Sequence, residues 1–167
     1  ALERASIGCL LGTAVADALG LACEGLSPER QRRLFPDRAR FGLLPRGYGM
    51  CSDDTEHAVM LAQCLAEGSS HAFDIDGHAA ELHRLFAWRL RFWLLGLPAG
   101  IGMATLRGIL KLWLFVPRRW CGVHSAGNAP AMRAAIIGVA HGDEPLRLHA
   151  LVRASTRITH TDMKAEL

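Results

Sequence analysis

Apolar residues recur at helical spacing in one segment after another of this sequence, and no segment alternates apolar and polar residues over the length of a β-strand. Glycine and proline fall mainly between these segments, where helices are expected to end. The chain has 167 residues, which is enough for one domain with a genuine core. The pattern therefore predicts an all-α fold in a single domain.

Six main helices are predicted from the periodicity and from their end signals. Ser52 is a good N-cap residue for the second helix, Asp74 for the third, and Thr161-Asp162 is typical of one further helix start. In the second helix, Ala58, Leu61, Ala62 and Leu65 mark the inner face. The predicted helices cover residues 4–20, 52–67, 76–95, 103–115, 131–140 and 146–159.

The first predicted helix is made of small and apolar residues on almost every side. This distribution predicts a buried helix, in which Gly8 and Gly12 permit close packing. Residues 25–51 that follow form a connection rich in Pro, Gly and Arg, without a clear period. A connection of this length is expected to be functional or partly structured.

Composition is that of a globular protein: half the residues are hydrophobic and 21% are charged. The five cysteines form no CxxC pair and are odd in number, which argues against a disulfide framework. This usage is typical of a reducing compartment, and no secretory signal opens the chain, so we expect a cytoplasmic protein.

Arginines are concentrated in the connecting segment, and the net charge is +3. They are interpreted as a solvated surface, with attraction for a polyanion as the alternative. The aromatic residues near them, Phe35, Phe41 and Tyr48, are scattered, so we expect no nucleic-acid partner. The arginines are Arg30, Arg32, Arg33, Arg38, Arg40 and Arg46.

The uncharged run from Phe92 to Leu106 has 15 residues and contains Pro98. Because about 20 apolar residues are needed to span a bilayer, this run is interpreted as buried and broken. We therefore expect no membrane association.

Ser52, Asp53 and Asp54 carry the strongest chemical signal in the sequence. A hydroxyl and two carboxylates at one helix start place several hard oxygens in a small volume, as magnesium requires. The structural alternative is that acids in a first turn simply complement the helix dipole, by about 0.3–1 kcal/mol each.

Three other positions have both a structural and a functional interpretation. Glu24 is a surface loop carboxylate or a functional one, and Asn128 is a helix cap or part of an anion-binding helix start. His160 is a helix-end residue or a ligand-contacting group.

Taken together, these segments resemble the ADP-ribosylglycohydrolase family in order and spacing. The matching stretches run through nearly the whole chain. They are Gly8-Cys9-Leu10-Leu11-Gly12, Asp17-Ala18-Leu19-Gly20, Glu24, Ser52-Asp53-Asp54-Thr55-Glu56, Gly127-Asn128-Ala129-Pro130-Ala131-Met132-Arg133 and Thr159-His160-Thr161-Asp162.

The resemblance implies two magnesium ions held between helix ends and the removal of ADP-ribose from a modified protein or a small ADP-ribosyl molecule. It implies that Ser52, Asp53 and Asp54 bind metal, with Glu24 and Asp54 as catalytic carboxylates. It further implies substrate contacts for a second group of residues. That group is Gly127, Asn128, Met132 and His160.

The chain also departs from the family pattern. Ala16 and the Ala129-Pro130 pair stand where glycine is usual, and the family's second metal motif, Asp-x-Asp-Thr/Ser, has no match here. We therefore expect residues 1–167 to be a partial domain that lacks the C-terminal metal-binding segment. The implied reaction is magnesium-assisted glycosidic hydrolysis; the alternative is a non-catalytic, nucleotide-binding or structural relative, or an inactive fragment.

Overall fold

The structure, a computed structural model, describes residues 1–36, 40–41, 43–68 and 74–166. These residues contain seven α-helices and short 3₁₀ turns, and they contain no β-strand. The predicted all-α fold is confirmed. An isolated bridge pairs Val123 with His160. The helices are α1 (Leu2–Gly20), α2 (Pro28–Leu34), α3 (Asp53–Gly68), α4 (Ile75–Trp93), α5 (Met103–Trp113), α6 (Ala129–His141) and α7 (Pro145–Arg157).

The core lies between α3, α4, α5, α6 and α7, each of which turns one apolar side inward. Ala58, Leu61 and Leu65 of α3 are buried, as the periodicity predicts, whereas Ala62 is half-buried. Burying such side chains contributes roughly 1.5–3 kcal/mol for each large one. The largest apolar members of the core are Leu61, Leu82, Phe86, Leu90, Ile109, Leu112, Ile136, Ile137, Leu151 and Ile158.

Helix α1 is not the buried helix that its composition predicts. It packs against α3 and α6, and it buries only Asp17 and Ala18 near its C-terminal end. Ile7, Leu11 and Val15 are 50%, 62% and 50% exposed. The prediction is wrong because apolar residues spread around a helix select no face, and only one side of α1 has a neighbour among the described residues.

By length and composition alone, the stretch Leu2–Cys23 could cross a membrane, and little of it is buried. In the fold, however, Asp17 in this stretch bonds to residues at the start of α3. Those bonds fix the C-terminal half of α1 to the rest of the domain.

The connection between α1 and α3 is partly structured. Ser27 caps α2 by accepting a hydrogen bond from the amide of Arg30 at 3.4 Å, and Pro28 occupies the first helical position. The predicted solvated surface is confirmed for the described arginines, which are all exposed; Arg38 lies outside the described residues. The exposed arginines are Arg30, Arg32, Arg33, Arg40 and Arg46.

The run from Phe92 to Leu106 is broken as predicted but is not buried. Phe92, Leu95 and Leu97 are 65%, 64% and 87% exposed. α4 ends at Trp93 and α5 begins at Met103, with a 3₁₀ turn and a loop between them. The predicted start near Thr161-Asp162 is a short 3₁₀ turn, Met163–Ala165, in which the Asp162 carboxylate accepts from the Lys164 amide.

Candidate active site

A cleft of about 520 Å³ opens where the start of α3 meets the C-terminal half of α1 and the start of α6. Five of the eight residues predicted for metal, catalysis or substrate line it. Gly127, His160 and Asp53 are instead beside or behind the cleft. The five lining residues are Glu24, Ser52, Asp54, Asn128 and Met132.

Ser52 occupies the N-cap position before α3, as predicted, but its side chain makes no hydrogen bond to the α3 amides. Its carbonyl does accept the first helical bond, from the Glu56 amide at 3.2 Å. Its hydroxyl donates to the Asp17 carboxylate at 2.7 Å, and the Thr55 amide, which an N-cap side chain would accept, donates to Asp17 as well. A residue from another helix has taken over the capping role.

Asp17 of α1 supplies the cap for α3. Its Oδ2 atom accepts from the amides of Ser52 at 2.8 Å and Thr55 at 3.2 Å, and from the Thr55 hydroxyl at 2.6 Å. Burial opposes ionisation of Asp17, but the hydrogen bonds from Thr55 and Ser52 outweigh it and hold its pKa below the ordinary value. Asp17 therefore carries a negative charge at the helix start, where the dipole also favours it.

Asp53 is buried behind the cleft under the loop that precedes α5. Its amide donates to the Ala99 carbonyl at 3.3 Å. A Cβ atom on Gly100 would lie 2.5 Å from Asp53 Oδ1, and Gly100 has φ +81°, so both space and backbone conformation require glycine there. Burial first, then the charges of Asp54 and Glu24, raise the pKa of Asp53 to about 7.

Asp54 is half-buried and lines the cleft. Burial, followed by repulsion from Asp17, raises its pKa above the ordinary value. Glu24 stands at the cleft edge in extended backbone after a 3₁₀ turn. Gln31 of α2 holds this turn, because its side-chain amide donates to the carbonyls of Cys23 and Leu26 at 3.0 Å each.

Arg133 of α6 is fully buried close to the start of α3. It donates to the hydroxyl and carbonyl of Ser155 and to the Thr159 hydroxyl, at 2.9–3.0 Å, and to Nδ1 of His57 at 3.2 Å. Burial lowers its pKa to about 9, and the nearby Asp53 carboxylate acts in the opposite direction. The guanidinium thus remains charged at neutral pH and joins α3, α6 and α7.

The loop before α6 separates the predicted substrate residues into two groups. Asn128 and Met132 line the cleft, whereas His160 is buried beneath Gly127. A Cβ on Gly127 would lie 2.9 Å from His160 Nε2, so glycine permits this contact. Burial and then the charge of Arg133 lower the pKa of His160 to about 4, so His160 is neutral at physiological pH.

The start of α6 offers fewer amides to an anion than the sequence suggests. Pro130 has no N–H, the Ala131 amide already donates to the Asn128 carbonyl at 2.9 Å, and the Gly127 amide donates to the Ser125 hydroxyl at 3.2 Å. The Asn128 side chain makes no capping hydrogen bond to α6. Its amide group can therefore serve the cleft.

Carboxylate and hydroxyl oxygens dominate the polar lining of the cleft, and hard oxygens are the donors that magnesium prefers. The donor chemistry fits such a cation. Across the described ranges, however, no three His, Cys, Asp or Glu side chains are grouped closely enough to hold a metal ion by themselves. The residues present fit part of a magnesium site.

Sequence reasoning missed the roles of Asp17, Gly100 and Arg133. Asp17 and Arg133 stand inside two of the stretches that carry the family resemblance, but neither was assigned a function. The remaining signal was indirect: an aspartate and an arginine in predicted core helices need buried partners.

Comparison with known proteins identifies relatives that match nearly the whole chain. A protein of Archaeoglobus fulgidus described as uncharacterised is 34% identical over 170 residues, which cover 98% of this chain and 52% of that protein. The ADP-ribosyl-[dinitrogen reductase] glycohydrolase of Rhodospirillum rubrum is 30% identical over 159 residues, which cover 93% of this chain and 51% of that enzyme. The chain therefore spans about half the length of these relatives.

The family model described as ADP-ribosylglycohydrolase matches residues 1–167, the whole of the chain. The match includes the α3 start, the Glu24 turn and the α6 loop that meet at the cleft. The chain belongs to the ADP-ribosylglycohydrolase family.

Proposed function

We propose that this chain forms part of a hydrolase that removes ADP-ribose from a modified protein or another ADP-ribosyl conjugate with the help of magnesium. The observation that carries the proposal is the convergence in one cleft of residues from four separate segments. Family membership and the named activity of the Rhodospirillum rubrum relative support the reaction class.

Ser52 and Asp54, with Glu24 at the cleft edge, would hold magnesium in this proposal, and Asp53 would add charge from behind. When bound, the ion would supply positive charge that fixes the ribose hydroxyls. Asp17 also lines the cleft, but its carboxylate already accepts four hydrogen bonds from Ser52 and Thr55, so we place it beside the ligand set and not within it.

Asp54 and Glu24 have distinct chemical tasks. Asp54 lines the cleft, and a carboxylate oxygen of Asp54 that is not engaged by the ion would take a proton from the attacking water. Glu24 places a second negative charge in the cleft, which favours the positive charge that develops on the ribose ring in an oxocarbenium-like transition state.

Asn128 and Met132 form the substrate-binding side of the cleft. The Asn128 amide is suited to hydrogen bonds with phosphate or ribose oxygens, and Met132 supplies apolar contact. His160 supports the Gly127 loop from beneath as a neutral side chain, so it orients that loop without contributing charge.

A second candidate function is ADP-ribose binding without hydrolysis. It is favoured by one observation: the described part of the chain groups no three side chains as a complete metal site. On a ligand count, the 167-residue chain alone is expected to bind magnesium weakly and to turn over substrate slowly.

Turnover of peptides carrying ADP-ribosylated arginine or serine, with and without magnesium, separates the two candidates. Hydrolysis by the chain that requires magnesium, and that falls at least about 100-fold in Asp54→Asn, is the result expected of an enzyme. Asp143→Asn is the matched control, because Asp143 is an exposed loop carboxylate between α6 and α7. Calorimetric binding of ADP-ribose without any turnover would favour the binding function, and absence of both would contradict the proposal.

A further inference from the structure

Asp17 connects the only buried part of α1 to the start of α3. Asp17 is 7% exposed and Ser52 is 4% exposed, and the two are joined by two hydrogen bonds of 2.7 and 2.8 Å. Thr55 adds two more, at 2.6 and 3.2 Å. All four donors reach one carboxylate, so the conformation of residues 52–55 depends on it.

The direction of the Ser52 bond has a chemical consequence. A hydroxyl has one hydrogen and two lone pairs. Because the Ser52 hydrogen is committed to Asp17 at 2.7 Å, only lone pairs of Oγ remain for other partners, and Ser52 lines the cleft. An oxygen that presents only lone pairs is suited to a cation and unsuited to a neutral acceptor.

We propose that Asp17 is a positioning residue that turns the Ser52 hydroxyl oxygen toward a divalent cation in the cleft and holds Asp54 beside it. This inference rests on the proposed function, since it assigns Asp17 a role toward the magnesium of that site. Asp17 acts through Ser52 and Thr55 and does not itself bind the ion.

A cap that only stabilised its helix would have no effect on a bound cation. Asp74 is such a cap: it accepts hydrogen bonds from the Asp76 and Gly77 amides, at 3.1 Å each, at the start of α4. It does not line the cleft. Asp74→Asn is therefore the matched control for Asp17→Asn, because both changes replace the carboxylate of a capping aspartate by an amide without a large change in shape.

The test is a magnesium titration of the full 167-residue chain, in which binding is measured by calorimetry up to millimolar magnesium. The variants are Asp17→Asn, Ser52→Ala, the double variant and Asp74→Asn. Residues that orient metal ligands typically change metal affinity 10–100-fold, so Asp17→Asn is expected to weaken magnesium binding by at least about tenfold. Asp74→Asn is expected to keep the wild-type affinity.

The double variant identifies the route of the effect. If Asp17 acts through the Ser52 oxygen, the double variant binds magnesium no more weakly than the weaker of the two single variants. If Asp17→Asn does not fold, Thr55→Val tests the part of the inference that concerns Asp54, because it removes the hydroxyl donor by which Asp17 holds the first turn of α3. It is then expected to lower the affinity severalfold.

Two results would overturn the inference while leaving the proposed function intact. The first is wild-type magnesium affinity in Asp17→Asn or, if that variant does not fold, in Thr55→Val. The second is a double variant in which the losses of affinity from Asp17→Asn and Ser52→Ala add in full. Absence of magnesium binding by the wild-type chain is a different outcome. It would overturn the proposed metal role and, with it, the role given to Asp17.

Discussion

The first amides of α3 and α4 receive their hydrogen-bond acceptors from different parts of the chain. Each helix leaves its first amides without partners, and each is capped by an aspartate. At α4, Asp74 is the adjacent residue, and it bonds amides two and three positions ahead. At α3, Asp17 bonds amides 35 and 38 positions ahead, from a different helix.

The difference separates a stabilising cap from one that also prepares a site. A local cap uses its own segment's oxygens to satisfy the helix. The distant cap satisfies α3 from outside and leaves the oxygens of Ser52 and Asp54 to the cleft. In return, the α3 start depends on tertiary packing of α1 and on buried charge nearby.

The largest expected effect is at the buried side of α3. Arg133→Met would leave four acceptors on His57, Ser155 and Thr159 without their donor, at about 1 kcal/mol each, so we expect a loss of about 4 kcal/mol in the free energy of unfolding. Urea denaturation measures it. Arg84→Ala, which removes an exposed pair with Glu81, is the control and should show no measurable change.

The two caps should differ in their contribution to stability. Asp74→Ala removes a local cap and is expected to cost about 1 kcal/mol. Asp17→Ala removes four hydrogen bonds to a charged acceptor in a buried position and is expected to cost about 3 kcal/mol. If chemical denaturation gave equal losses in the free energy of unfolding for the two variants, the cap from α1 would stabilise the fold no more than the local cap does.

A smaller effect should appear in the pH dependence of stability. Asp53 has a pKa of about 7 in the fold against an ordinary value of 3.8, so between these values the folded chain holds a proton that the unfolded chain has lost. Stability attributable to Asp53 therefore falls as pH rises from about 4 to 7. Above pH 7 it is constant.

Asp53→Asn should remove that dependence. Between pH 4 and 8, we expect the free energy of unfolding of the variant to rise by about 2 kcal/mol relative to wild type. This is about half of the free energy that corresponds to the full pKa shift of Asp53, since solvent screens part of the repulsion. The difference between the two proteins isolates Asp53 from His57 and His160, whose lowered pKa values act in the opposite direction. A constant difference across this range would contradict the assignment.

The sequence predicts what depends on neighbours along the chain. The Asp74 cap, the inner face at Leu61 and Leu65, and the all-α class follow from spacing and local chemistry. The position of α1 does not, because apolar residues on all its sides leave its packing face undetermined. The Asp17 cap does not follow either, because an aspartate in a predicted core helix indicates a buried partner but does not identify it.

The candidate site divides in the same way. Family resemblance brought Glu24, Asp54 and Asn128 to attention, and the fold puts them on one cleft. It did not distinguish Asn128, which lines the cleft, from His160, which lies beneath the loop. Whether a side chain lines the cleft or lies beneath it depends on how α6, α7 and the segment after α7 pack together. A sequence motif does not specify that packing.

The start of α3 is proposed to be a cation site whose ligand oxygens are positioned by Asp17. Crystals grown with Mn²⁺ as a stand-in for magnesium would test it directly through the anomalous signal of manganese. We expect a peak in the cleft in contact with oxygens of Ser52 and Asp54, close to the distance of about 2.1 Å that magnesium prefers, while Asp17 keeps its bonds to Ser52 and Thr55. A peak bound directly by Asp17, or a cation found only away from this cleft, would contradict it.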